Sequence, residues 1–120
     1  MNSEEIRDIV VEALEDLKGT EIKVLDVRGK TSVTDILVIA SGSSSRQVKA
    51  LSNNVIEMVK ERGITPLSTE GAQESGWVLI DLGDVVVHVM LPETRDFYNL
   101  EKLWGEDAPE KELSTSDAVE

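Results

Sequence analysis

Residues 35–50 read DILVIASGSSSRQVKA. After Asp35 the first six residues are almost wholly apolar, the pattern of a strand buried on both faces rather than one. Gly42 and three serines then interrupt the run, and Ser44 with Gln47 has the S-x-x-Q spacing that opens a helix. Strand, Gly-Ser loop and helix start in this order place the chain in the α/β class, with a helical crossover that permits a parallel strand pair.

Downstream, the helix continues through residues 44–63. Val48, Leu51, Val55 and Met58 or Val59 fall on one face, and Gly63 stops it. A short strand is expected near Pro66–Thr69, followed by EGAQESG as a mobile loop. WVLIDLGDVVVHVM, residues 77–90, reads as a hairpin of strands 77–82 and 84–90 turning at Leu82–Gly83. Pro92 suits the first turn of a last helix, PETRDFYNLEKLW, which carries Phe97, Leu100 and Trp104 at helical spacing.

Upstream, Ile6, Ile9, Val10, Ala13, Leu14 and Leu17 define one face of a helix over residues 4–18. Asn2 and Glu5 fit a capping box, and Gly19 is expected to close the helix. EIKVLDV, residues 21–27, follows as a strand. The order is αββαβββα, a single-domain α/β sandwich with a mixed sheet flanked by helices. It occupies residues 1–105. Residues 106–120 form an acidic tail without periodicity, expected to be disordered.

The net charge is −12, and both parts contribute. Residues 106–120 hold six acids and one lysine, and residues 1–105 hold 18 acids and 11 bases. Such a field repels free nucleic acid and attracts basic protein surfaces. The alternative is acidity that serves solubility alone. No apolar run approaches the ~20 residues of a membrane span, and the acidic N-terminus does not resemble a signal peptide. These features predict a cytoplasmic protein without membrane association. With no cysteine, neither a disulfide framework nor a thiolate metal site is available.

The Gly-Ser loop admits two readings. A helix N-terminus with Gly42, three serines, Arg46 and Lys49 is a plausible phosphate cradle. Alternatively, Ser44 caps the helix and Gln47 reaches back to the cap, consuming the same donors. The loop matches neither the Walker A pattern nor G-x-G-x-x-G. A nucleotidyltransferase would also need a D-x-D pair holding Mg²⁺. Only Asp81 and Asp84, flanking a turn, stand near one another. His88 is the sole histidine, so neither a His-based metal site nor a catalytic relay is indicated. The expectation is a non-enzyme with no cofactor.

With the turn at Leu82–Gly83, Asp81 faces Asp84, Leu79 faces Val86 and Trp77 faces His88. Val78, Ile80, Val85, Val87 and Val89 make a wholly apolar face, which must be core. The other face carries Trp77, Leu79, Asp81, Asp84, Val86, His88 and Met90. It is too polar for ordinary core and too apolar for bare surface. Either it docks a partner, or the last helix covers it with Phe97 or Trp104.

DVRGKTSVTDILVIASGSSSRQVKA, the EG at 70–71, GWVLIDLGDVVVHVM and RDFYNLEKLW together resemble the Iojap family of ribosomal silencing factors, in unbroken order over residues 4–104. The resemblance implies a nucleotidyltransferase-like fold without the catalytic carboxylates. It also implies binding to ribosomal protein fourteen of the large subunit, with steric blocking of small-subunit association. Translation would then be repressed when nutrients are scarce, and the free factor would be a homodimer. Many members carry aromatics after TD, where this chain has Ile36 and Leu37, and Tyr where it has Leu82. Combined with the mixed hairpin face, this points to Trp77, Leu79, Leu82, His88 and Met90 as the apolar centre of a ribosomal contact. Leu82 is included as a protruding turn tip. Arg95, Tyr98 and Lys102 are expected nearby, with Ser44 and Arg46 at an interface edge.

Overall fold

The apolar run after Asp35 lies inside the sheet. In the computed structural model, which describes residues 2–29, 34–71 and 76–98, it forms β2 (Ile36–Ser41), and every residue of that strand is buried. The full order is α1 (Ser3–Asp16), β1 (Thr20–Asp26), β2, α2 (Ser45–Glu61), β3 (Ser68–Glu70), β4 (Trp77–Asp81), β5 (Val85–Met90) and α3 (Pro92–Tyr98). The expected αββαβββα order is therefore found. The five strands lie β1-β2-β5-β4-β3, with β2 and β5 parallel and the other pairs antiparallel. Residues 99–120, which include the rest of the expected last helix and the acidic tail, lie outside the described residues, as do most of the expected mobile loop (72–75) and residues 30–33.

α1 and α2 cover one sheet face. Their stripes, Ile6, Ile9, Val10, Ala13 and Leu14 with Val48, Leu51, Val55 and Val59, form one cluster with Ile36, Val38, Ala40, Val78, Ile80, Val85, Val87 and Val89. Strand alternation sends Val27, Leu37, Ile39 and Met90 to the opposite face, where Leu25, Trp77 and Val86 pack against them. β2 and β5 are thus buried from both sides. Truncating a fully buried side chain such as Leu14 or Ile39 would cost about 2–5 kcal/mol.

The helix ends show how local sequence sets these elements. Asn2 and Glu5 close the expected capping box, with Asn2 Oδ1 accepting from Glu5 N at 2.8 Å and Glu5 Oε1 from Asn2 N at 3.1 Å. At the other end of α1 the left-handed residue is Lys18 (φ 65), not Gly19. Gly19 instead donates to the Leu14 carbonyl at 2.8 Å, and a Cβ on it would press within 3.1 Å of that oxygen and 3.3 Å of Leu51 Cδ2. Its bareness lets α1 end against α2, so close approach rather than handedness selects glycine here. α2 ends as expected, with Gly63 left-handed (φ +86) and Ile64 N donating to the Val59 carbonyl.

The hairpin register departs from expectation by one residue at the turn. Trp77 pairs with Met90, Leu79 with His88 and Asp81 with Val86. The turn residues are Gly83 and Asp84, with Leu82 N donating to the Val85 carbonyl at 2.9 Å. Gly83 has φ +91 at the first turn position, where a II′-type hairpin needs it, and Asp81 Oδ1 accepts from its N–H at 2.9 Å. Each residue's partner moves by two positions, so the two face assignments survive. Two residues change role: Leu82 joins the core beneath the helices, 7% exposed, and is not a protruding tip, and Asp84, expected on the mixed face, becomes an exposed turn residue before β5.

Candidate functional site

Two of the three serines in the Gly-Ser loop, Ser43 and Ser44, are tied into the start of α2. Ser44 Oγ accepts from Gln47 N at 3.1 Å. Gln47 Oε1 does not reach Ser44 N as expected, but accepts one residue earlier, from Ser43 N at 2.6 Å and Ser43 Oγ at 2.9 Å. Its amide nitrogen donates to the carbonyls of Leu17 and Lys18, both at 3.2 Å. One side chain therefore joins the start of α2 to the end of α1. Gly42 is needed because a Cβ there would sit 3.0 Å from Val48 N and 3.1 Å from Val48 Cγ2, against α2 itself. Ser44 and Arg46 are both exposed.

Of the hairpin acids, Asp81 holds the turn through its carboxylate and Asp84 through its backbone carbonyl. The Asp84 carbonyl accepts from Asp35 N at 2.9 Å, Ile36 N at 3.0 Å and Thr34 Oγ1 at 2.8 Å, pinning the turn to the start of β2. Asp35 Oδ2 in turn accepts from Ser3 Oγ at 2.8 Å, which ties in α1. The TD and GD pairs of the sequence thus form one junction. Among the described residues no three His, Cys, Asp or Glu side chains come together as metal ligands.

The sheet face opposite α1 and α2 has a different character. Trp77, Leu79 and Val86 lie on it half-buried, with Asp81 beside Val86 and exposed Glu70 opposite Leu79 on the outer strand β3. Met90 is wholly buried and His88 is 7% exposed. The indole Nε1 of Trp77 donates to His88 Nδ1 at 3.0 Å, with ring centroids 5.8 Å apart and tilted by 43°. Burial pushes the imidazole pKa down to about 4, so the ring is neutral near pH 7. Gly71 and Gly76 set the backbone that delivers Trp77. A Cβ on Gly71 (φ +99) would overlap the Trp77 carbonyl oxygen, and one on Gly76 (φ +75) would meet Leu91 Cδ1.

Of the residues singled out from sequence, Trp77 and Leu79 lie half-buried on this face, His88 is 7% exposed and Met90 is wholly buried, while the Phe97 side chain and Trp104, expected as a cover, lie outside the described residues. Leu82 belongs to the other face. Arg95 is not a rim cation: it is 3% exposed and donates through Nη1 to Ser41 Oγ at 2.8 Å, joining α3 to the end of β2. The Tyr98 side chain and Lys102 lie outside the described residues. Two apolar residues were not among those singled out for the contact. Val86, placed on the mixed face by alternation, completes the half-buried patch. Leu67, 72% exposed, follows Pro66 in a connection with no periodicity to mark it.

A family model described as "Ribosomal silencing factor during starvation" matches residues 1–120. The chain is 49% identical over 109 residues to the ribosomal silencing factor RsfS of Chromobacterium violaceum, covering 91% of this chain and 89% of that protein. It is 37% identical over 100 residues to the mouse protein named mitochondrial assembly of ribosomal large subunit protein 1, covering 81% of this chain and 44% of the mouse protein. The X-ray structure of a Chromobacterium violaceum protein matches with a TM-score of 0.86 at 49% identity, covering 91% of each chain.

Proposed function

The chain belongs to the ribosomal silencing factor family, and from that premise we propose that it binds the large ribosomal subunit through ribosomal protein fourteen, blocks docking of the small subunit by bulk, and represses translation when nutrients are limiting. The observation that carries this reading is the half-buried trio Trp77, Leu79 and Val86 on the sheet face away from α1 and α2. An indole held in place by a buried partner is a preorganised anchor, the kind of residue that dominates protein interfaces. Asp81 and Glu70 at its margin, on a chain of net charge −12, favour a basic protein surface and disfavour bare RNA.

The proposed role needs no catalytic step. Ser44 spends its hydroxyl on the cap, Gln47 spends its amide on Ser43 and the end of α1, and Asp81 Oδ1 is engaged by the turn. Binding and steric exclusion are sufficient for the proposed outcome. Co-sedimentation with purified subunits tests it: the chain should pellet with large subunits and remain in the supernatant with small ones. Failure to pellet with large subunits would overturn the proposal.

A further inference from the structure

Indole N–H can only donate, so the histidine nitrogen it meets must accept. His88 Nδ1 therefore carries no proton, and a neutral ring must then hold its single proton on Nε2. Among the described residues no side chain or backbone oxygen accepts from Nε2. No fully buried side-chain nitrogen or oxygen among them lacks a hydrogen-bond partner. Nε2 thus keeps access to solvent, through the small exposed part of the ring, beside half-buried Trp77 and Leu79.

We infer that Trp77 locks His88 as the Nε2–H tautomer, and that this N–H is a fixed donor through which the apolar patch recognises a carbonyl oxygen on its protein partner. A backbone or side-chain amide oxygen suits this donor better than a carboxylate, because the acidic margin of the patch disfavours an acidic partner. The inference rests on the docking reading above and adds a polar specificity determinant to it. An apolar patch alone tolerates many partners. A donor within it penalises any surface that fails to offer an acceptor, since the N–H would then be desolvated without a bond. Trp77 would serve twice, as an anchor and as the positioning residue that sets the tautomer.

Long-range ¹⁵N–¹H NMR of the native protein reads the tautomer directly and should place the proton on Nε2; a proton on Nδ1 would overturn the inference. Binding of purified large subunits supplies the second arm. His88→Asn keeps an acceptor oxygen for the indole but has no donor at the Nε2 position. It should weaken binding about tenfold with the melting temperature nearly kept. His88→Gln, whose amide nitrogen reaches the Nε2 position, should recover part of the loss. If Trp77→Ala weakens binding and His88→Asn does not, the inference falls while the docking reading stands. If neither changes binding, both fall.

Discussion

A histidine in a sheet interior couples stability to pH in a direction that its environment fixes. His88 titrates near 6.5 in an unfolded chain and at about 4 in the folded one, because burial disfavours the cation. Between those values the unfolded state binds the extra proton. The contribution of this site is therefore intact above pH 6.5 and is lost progressively as pH falls toward 4. The full loss is about 3 kcal/mol. Urea unfolding at pH 7 and pH 4 should show it, with His88→Asn losing less stability on acidification than the parent by up to that amount. Equal losses would mean that the imidazole is not buried as neutral. From sequence, His88 could be placed on the mixed face. The expected register also set it directly opposite Trp77, whereas in the structure it stands opposite Leu79 and meets the indole along the diagonal.

The elements show where sequence periodicity was sufficient and where chemistry between elements intervened. Helical stripes and the buried β2 run specify α1, β2 and α2 almost to the residue, since burial enforces the period. The turn was misplaced because Leu82–Gly83 and Gly83–Asp84 both put a glycine in the loop. Local chemistry favours the second, with Gly83 at the first position of a II′-type turn and Asp81 Oδ1 on its N–H, and the catch of the Asp84 carbonyl by Thr34, Asp35 and Ile36 reinforces it. The same contrast marks residues 41–50, whose capping spacing was legible while the reach of Gln47 to α1 was not.

Gln47→Ala should cost about 1–2 kcal/mol in urea unfolding, because it breaks the tie between two helix ends. Calorimetry with ATP, CTP and GTP plus Mg²⁺ should show no binding to the native chain, and micromolar affinity for any of them would restore the phosphate reading of the loop. Gly71→Ala should destabilise by about 1–3 kcal/mol, because φ is +99 and the added Cβ overlaps the Trp77 carbonyl. The indole fluorescence of Trp77 should shift with it, since the EG pair sets that backbone.

At the scale of the molecule, the two sheet faces divide the labour. One is closed by α1 and α2 and supplies the main core. The other keeps a smaller buried cluster with a half-exposed margin of Trp77, Leu79 and Val86. Sequence alternation separated the faces correctly, but could not say how deeply each residue of the mixed one would sink. Met90 and Arg95 proved interior because β5 is a central strand and α3 returns across the end of β2. On the proposed function, the remaining margin would hold the protein where the small subunit docks. Light scattering of subunit joining, with melting curves beside it, tests this most directly. The parent chain should suppress joining, while Trp77→Ala should require at least about tenfold more protein for the same suppression and still melt cooperatively, in keeping with the ~2 kcal/mol or more that buried Trp anchors contribute. Undiminished suppression by a folded Trp77→Ala protein would contradict the account.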